Sequence, residues 1–200
     1  MSAQPKLFSE SEYLYMERAS SIKHEFYQGR IYAMTGASKN HNLIVANTLA
    51  SLHGQLRRSS CQVYASDMRV AIPSSSLYTY PDLVIVCGQT LFRDDQQDTL
   101  INPLVFIEIL SPSTERYDRG MKFQHYSMLE SVQDYLLIAQ DQQRIEHFTR
   151  QGSGQWLLHV VTSAEHVITI DSIKSRLNLD DIYEKVDIST NDKGVTREAP

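Results

Sequence analysis

The stretch Leu104-Val105-Phe106-Ile107-Glu108-Ile109-Leu110 decides how the chain reads. β-Branched and aromatic residues follow one another, with turn residues on either side: Asn102-Pro103 before, Ser111-Pro112 after. Such a run predicts a central strand buried on both faces. Glu108 interrupts it. A buried carboxylate is costly unless it is paired, hydrogen-bonded or bound to a metal. A second run, Pro81-Asp82-Leu83-Val84-Ile85-Val86-Cys87, carries the same anomaly at Asp82, 26 residues earlier. Side chains alternate along a strand. Glu108 therefore shares a face with Phe106 and Leu110, and Asp82 with Val84 and Val86. If the two strands are neighbours, the acids meet at one edge of a sheet and form one site.

Around these strands the pattern alternates between helix and strand. Ser9-x-x-Glu12 is a capping box that opens a helix over about 10–19. Glu25-Phe26-Tyr27 and Arg30-Ile31-Tyr32-Ala33-Met34 flank a Gln28-Gly29 turn and read as a hairpin. Residues 40–58 read as an amphipathic helix with Leu43, Ala46, Leu49 and Ala50 on its apolar side. Strands are expected over 61–72, 82–87, 104–110 and 134–139, and a helix over 119–130 with Phe123, Tyr126, Met128 and Leu129 as its stripe. Hairpins follow over 144–149, 155–162 and 166–170, then a short helix near 179–186. The order predicts an α/β fold, a mixed sheet with helices on both faces. Residues 1–187 form one expected domain and 188–200 a loose tail.

Composition limits the alternatives. The chain has 200 residues, 42% hydrophobic and 22% charged, enough for a core of ordinary size. No apolar run approaches the roughly 20 residues that cross a bilayer. Met-Ser-Ala-Gln-Pro-Lys lacks the apolar segment of a signal peptide, so a cytoplasmic location without membrane attachment is expected. Cys61 and Cys87 have no metal-ligand spacing and are expected as buried reduced thiols. A net charge of −5 argues against tight non-specific nucleic-acid binding but leaves room for a local basic cleft.

Glu25, on the first hairpin, is a candidate third acid. Three converging acids repel one another, and a divalent cation resolves that repulsion. Mg²⁺ suits one or two carboxylates supplemented by water and phosphate oxygens. Beyond Glu108 lie Arg116, Arg119 and Lys122, spaced three apart, as candidate phosphate contacts. His41, at the start of the second helix, is a further candidate contact. Each has a plainer reading. Glu108 can be a structural acid paired with Arg69, and Asp82 can close a turn. Glu25 can be a solvated hairpin acid, the 116–122 cations a solvated helix face, and His41 an ordinary helix-start residue.

Taken in order, Glu25, Pro81-Asp82 and Glu108-x-Leu110 resemble the PD-(D/E)xK nuclease superfamily. The pattern is more closely similar to the Uma-two family of endonucleases. The resemblance rests on His24-Glu25-Phe26-Tyr27-Gln28-Gly29-Arg30-Ile31, Ser38-Lys39-Asn40-His41, Tyr80 through Val86, Pro103 through Glu115, Tyr117 through Phe123 and Asp134 through Ile138. It spans about residues 8–185. It implies a restriction-endonuclease-like fold, a central mixed β-sheet flanked by helices, here with extra C-terminal hairpins. It also implies Mg²⁺, replaceable by Mn²⁺, at Asp82 and Glu108. Glu25 would be the additional acid and the Ile109 carbonyl a further ligand. The superfamily pattern places a lysine two residues after the second acid, where this chain has Leu110. Lys122, from the next helix, is the candidate substitute, since its long chain reaches a point far from its backbone.

The leading expectation is a metal-dependent endonuclease acting on DNA through Glu25, Asp82, Glu108 and Lys122. A homodimer is expected if both strands of a duplex are cut. The alternative is a degraded nuclease fold that binds nucleic acid or assembles with partners without cleaving. A third reading uses the acids on a glycosidic bond, with Trp156 the single tryptophan and no aromatic cluster to stack on sugars.

Overall fold

In the computed structural model, which describes residues 6–162 and 165–188, Ser9 caps α1 (Glu10–Ala19) through the expected reciprocal box with Glu12. The hairpin follows as β1 (His24–Tyr27) and β2 (Arg30–Ala33). Both turn residues have positive φ, Gln28 at 47° and Gly29 at 84°, as a two-residue turn matching strand twist requires. Helix α2 (Lys39–Leu56) is capped by the Ser38 hydroxyl, which accepts from the His41 amide. Its buried stripe is Ile44, Thr48, Leu52 and Leu56. Of the expected apolar side, Leu43 and Leu49 are half-buried, Leu49 against the core, while Ala46 and Ala50 are exposed. Small alanines suit either face, and the larger branched residues set the orientation.

The expected strand over 61–72 is two strands, β3 (Cys61–Ala65) and β4 (Arg69–Ile72), which join different sheets. Then come β5 (Leu77–Thr79), β6 (Leu83–Cys87), the two-residue β7 (Thr99–Leu100) and β8 (Val105–Leu110), every residue of which is buried. The helical segment after β8 is composite: α3 (Glu115–Tyr117), a π turn (Asp118–Lys122) and α4 (Phe123–Ser127). It starts and ends earlier than expected, and Met128 is exposed rather than part of the stripe. Strands β9 (Asp134–Ala139), β10 (Arg144–Arg150), β11 (Trp156–Thr162), β12 (Val167–Ile170) and β13 (Ser175–Asn178) lead to α5 (Leu179–Ile182). The expected tail, 188–200, begins at Ile188, which is half-buried against the core; the rest of it lies outside the described residues.

The main sheet has six strands in the order β11-β10-β9-β8-β6-β3, mixed because β8 and β9 run parallel while the other pairs are antiparallel. A five-stranded sheet, β2-β1-β5-β4-β7, and the ribbon β12-β13 complete the β-structure. Alternation along β8 splits the core in two. Val105, Ile107 and Ile109 pack with Ile44 and Leu52 of α2 and with the C-terminal ribbon. Phe106 and Leu110 pack with Tyr126 of α4 and with Val70, Ile72 and Leu77 of the smaller sheet. Glu108 lies between Phe106 and Leu110, on the second face.

Cys61 and Cys87 face each other at the start of β3 and the end of β6, with Cα atoms 3.9 Å apart, and form a disulfide. The expectation of two free thiols is corrected: direct cross-strand opposition brings the sulfurs together, and the spacing in sequence gives no sign of that register. Among the described residues, no helix is long and apolar enough to cross a membrane.

Candidate active site

Strand pairing places the two acids. β6 and β8 are antiparallel with Leu83 opposite Ile107, so one residue further Asp82 stands opposite Glu108. The Asp82 carboxylate accepts the Ile109 amide at 2.8 Å, and the Asp82 amide approaches Glu108 Oε2 at 3.4 Å. β6 ends its pairing here, so the β8 edge is free to hold a side chain instead of a strand. In an extended strand the N–H and C=O of one residue face the same neighbour. The Ile109 carbonyl therefore points to the edge where Asp82 sits.

Glu25 arrives from the smaller sheet. β5 continues through Tyr80-Pro81 into Asp82, and Thr79 at its end donates a hydrogen bond to Glu25. A cleft of about 740 Å³ contains Glu25, His41, Asp82, Glu108, Asp118 and Lys122 along its lining. Asp82 and Glu108 are directly linked, whereas Glu25 is held by Thr79 in the same cleft. Among the described residues, no three His, Cys, Asp or Glu side chains are gathered into a metal cage, so the expected convergence of three acids on one point is not seen.

Glu108 is 3% exposed. Its Oε1 accepts from Lys122 Nζ at 3.0 Å and from the Tyr126 hydroxyl at 2.7 Å. Lys122 Nζ also lies 3.1 Å from Asp118 Oδ1. Asp118, Lys122 and Tyr126 are spaced by four residues. Residues four apart lie on one side of a helical segment, and these three face β8 through the π turn over 118–122 and the start of α4. Tyr126 is fixed by stacking on Phe106, with ring centroids 3.8 Å apart.

Burial pushes the Glu108 carboxyl up; Lys122 pulls it back, and Asp82 and Asp118 push it further, to about 8. Burial alone would lower the Lys122 ammonium, but Glu108, Asp118 and Glu25 outweigh it and hold it well above its usual range. The two shifts look opposed, since a neutral Glu108 could not hold Lys122. Asp118, the second acid within reach, resolves this by keeping the lysine charged. Burial and the neighbouring Glu108 also hold the Tyr126 phenol well above its ordinary range, so it remains a donor.

The oxygens are used unevenly. Glu108 Oε1 takes two strong donors, while Oε2 has only the long contact from Asp82. Asp82 Oδ2 takes the Ile109 amide and lies 3.1 Å from His41 Nε2, whereas Oδ1 accepts no hydrogen bond among the described residues. Two lightly engaged carboxylate oxygens and a carbonyl on one edge are hard donors of the kind Mg²⁺ takes, with room for water. The residues present fit that ion.

Of the residues singled out from sequence, Glu25, His41, Asp82, Glu108, Ile109 and Lys122 come to one cleft, and Arg116 and Arg119 do not. Arg119 turns away to Glu115 at 2.7 Å and Glu146 at 3.1 Å, and Arg116 is exposed. The two arginines share a spacing with Lys122, but the π turn shifts the helical register between them. Arg69 is not the partner of Glu108: it pairs with Asp98 at 2.9 Å and donates to Thr99 and Tyr80. Asp118 and Tyr126 were not anticipated. Tyr126 is expected only as part of the apolar stripe and Asp118 only within the stretch that carries the resemblance; their four-residue spacing on either side of Lys122 is the signal that points to both.

Residues 10–180 match the sequence family described as "Uma2: Putative restriction endonuclease". Two proteins of Synechocystis sp. are each 36% identical to this chain. Uncharacterized protein sll1609 aligns over 156 residues, 78% of this chain and 88% of its own length. Uncharacterized protein slr1290 aligns over 180, 90% of this chain and 92% of its own. A crystal structure from Anabaena variabilis, described as a putative nuclease belonging to DUF820, superposes with a TM-score of 0.71 at 18% identity, covering 88% of this chain and 97% of that one. At that identity the match speaks for a shared fold. The family match covers most of the length, and the chain belongs to the Uma2 family of restriction-endonuclease-like proteins.

Proposed function

We propose that this protein is a Mg²⁺-dependent endonuclease that hydrolyses phosphodiester bonds in DNA. The observation that carries the reading is the 3.0 Å contact between Lys122 Nζ and Glu108 Oε1. The superfamily pattern sets a lysine two residues after the second acid, and here Leu110 is buried in the apolar core. Lys122 supplies an ammonium beside the same acid from the following helix. That contact supports reading Lys122 as the lysine of the pattern, displaced along the chain.

Asp82, Glu108 and the Ile109 carbonyl would hold the ion. When bound, a divalent cation supplies a water of lowered pKa and neutralises phosphate charge. Lys122 keeps Glu108 Oε1 in place and leaves Oε2 turned toward Asp82. Tyr126 holds the same oxygen from the core side. His41 and Ile109 together fix the Asp82 carboxylate. The N-terminus of α2, with no acidic residue in its first turn, meets the cleft at Ser38 and His41. Its dipole favours an anion there, and a phosphate is such an anion.

The test is calorimetric titration of Mg²⁺ and Mn²⁺ into wild type and Glu108→Ala, with nicking of supercoiled plasmid and of circular single-stranded DNA followed in parallel. Metal binding and cleavage should be lost together in the variant. A wild type that neither binds metal nor cuts either DNA would mark a nuclease fold that binds or assembles without cleaving. Cleavage that survives EDTA would overturn the metal-dependent reading.

A further inference from the structure

Within that nuclease reading, the cleft poses a problem of charge. Proteins that grip duplex DNA neutralise a run of phosphates with lysine and arginine. Among the described residues, the cations lining this cleft are two lysines, and no arginine lines it. Both lysines are engaged. Lys122 is held by Glu108 and Asp118. Lys23 Nζ lies 3.0 Å from the Asp67 carboxylate and donates to the Ser66 carbonyl at 2.9 Å. Four acids, Glu25, Asp82, Glu108 and Asp118, line the same space. A bound cation offsets part of that charge at one point, but nothing here tracks two phosphate backbones.

What the cleft offers instead is an aromatic ring. Tyr32 lines it, is 47% exposed, and stands on β2, an edge strand of the smaller sheet. Register places Tyr32 directly opposite Glu25. Directly opposed residues of an antiparallel pair project from the same face with Cβ atoms about 5 Å apart. The ring therefore stands beside an acid of the cleft, on a rigid hairpin rather than a loop. Large exposed aromatics on protein surfaces commonly serve recognition, and a base stacks on such a ring whatever its identity. In a duplex both faces of a base are already covered by its neighbours.

We propose that the substrate is an unpaired stretch of DNA, with a base stacked on Tyr32 while its phosphate lies at Asp82 and Glu108. Stacking then supplies the binding that free basic residues would supply to a duplex. An unpaired strand needs one cut, so a single site suffices and paired sites in a dimer are not required.

The proposal is tested with a fluorescein-labelled 12-nucleotide single strand and the same strand annealed to its complement. Binding is read by anisotropy with and without Mg²⁺, and cleavage is followed on gels, for wild type, Tyr32→Ala and Tyr32→Phe. The single strand should bind tighter than the duplex. Tyr32→Ala should weaken single-strand binding, and raise KM, by about tenfold with kcat largely kept, while Tyr32→Phe retains wild-type behaviour. Equal or tighter binding of the duplex, or an unchanged single-strand affinity in Tyr32→Ala, would overturn it. If no DNA is cut, the nuclease reading fails, and the anisotropy comparison still decides whether Tyr32 holds an unpaired base.

Discussion

Glu108 and Asp134 stand on neighbouring parallel strands, each an acid in an otherwise apolar run, each almost wholly buried. Their surroundings differ in kind. Asp134 opens β9 opposite Val105, on the face that packs against α2 and the ribbon. It lies 2.6 Å from His147 Nε2, accepts from Ser172 and has a longer contact to Thr149 at 3.5 Å. Both of its oxygens are used, by hydroxyls and an imidazole, at the margin of the core, where His147 is buried and Ser172 reaches the surface. Glu108 faces the other way, shares a cation with a second acid, stands against a third and keeps one oxygen nearly idle at a cleft. A buried acid whose partners satisfy it completely is a structural part. One left with surplus negative charge and a free oxygen is equipped for a ligand.

The sharpest separation comes from exchanging each acid. Glu108→Gln should cost about 100-fold or more in metal-dependent cleavage, as losses at charge-stabilising positions typically do, while the protein still folds. Asp134→Ala should leave metal binding per folded molecule unchanged but destabilise by about 2 kcal/mol, because the buried His147 loses its acceptor. Calorimetric metal titration and denaturant melts on the same preparations measure both. Metal affinity lost in Asp134→Ala with its stability intact would collapse the distinction.

Between these extremes lies the effect of pH. Burial holds the Glu108 carboxyl up to about 8, so in EDTA the folded state keeps a proton that the unfolded chain releases near the ordinary carboxylate value of 4.5. The folded state binds more protons across that window, so Glu108 costs stability increasingly as pH rises from about 4.5 to about 8, and no further above it. Lys122, held above its usual range, stays charged throughout and does not reverse the sign. Urea melts of wild type and Glu108→Gln across this range should show the variant gaining on wild type as pH rises. A constant difference would mean Glu108 is already ionised and fully paired.

Tyr126→Phe probes the same cluster more gently. It removes one hydrogen bond to Glu108 while keeping the stacking on Phe106. With Glu108 protonated in EDTA, such a bond is worth about 1 kcal/mol, and the loss should appear as lower stability. Added Mg²⁺ should recover part of it, because a ligand that binds only the folded state stabilises it. Stability recovered by NaCl at equal ionic strength would reduce this to screening.

The difference between the two acids shows what the sequence carries. The apolar runs around Asp82 and Glu108 put each acid on a strand, and the rule that side chains alternate said what each would face; that the two strands are neighbours comes from the register of β6 and β8. Gln28-Gly29 was enough to place the hairpin that presents Glu25. Asp134 sits in a run of the same kind, and nothing local distinguishes it from Asp82: its partners come from β10 and from a turn 38 residues away. The division of the β-structure into separate sheets was equally hidden, because a break at Ser66-Asp67 looks the same whether the next strand stays in the sheet or leaves it. Helix register failed for one local reason. The π turn changes which residues share a face, so Lys122 reached Glu108 while the arginines ahead of it did not.

Arg119 gives the smallest expected effect and marks the outer limit of the site. Its guanidinium spans Glu115 and Glu146, and it is 36% exposed. Ion pairs at such positions contribute about 1 kcal/mol or less. Arg119→Ala should therefore shift stability within that bound and leave cleavage within about twofold, a change of about 0.4 kcal/mol. The measurement is nicking at two salt concentrations. If Arg119 touches phosphate during the reaction, the variant loses affinity mainly at low salt and its salt dependence flattens. A flattened slope would extend the site along the helix beyond Lys122, and an unchanged one would confine it to the cleft where Glu108 keeps its idle oxygen.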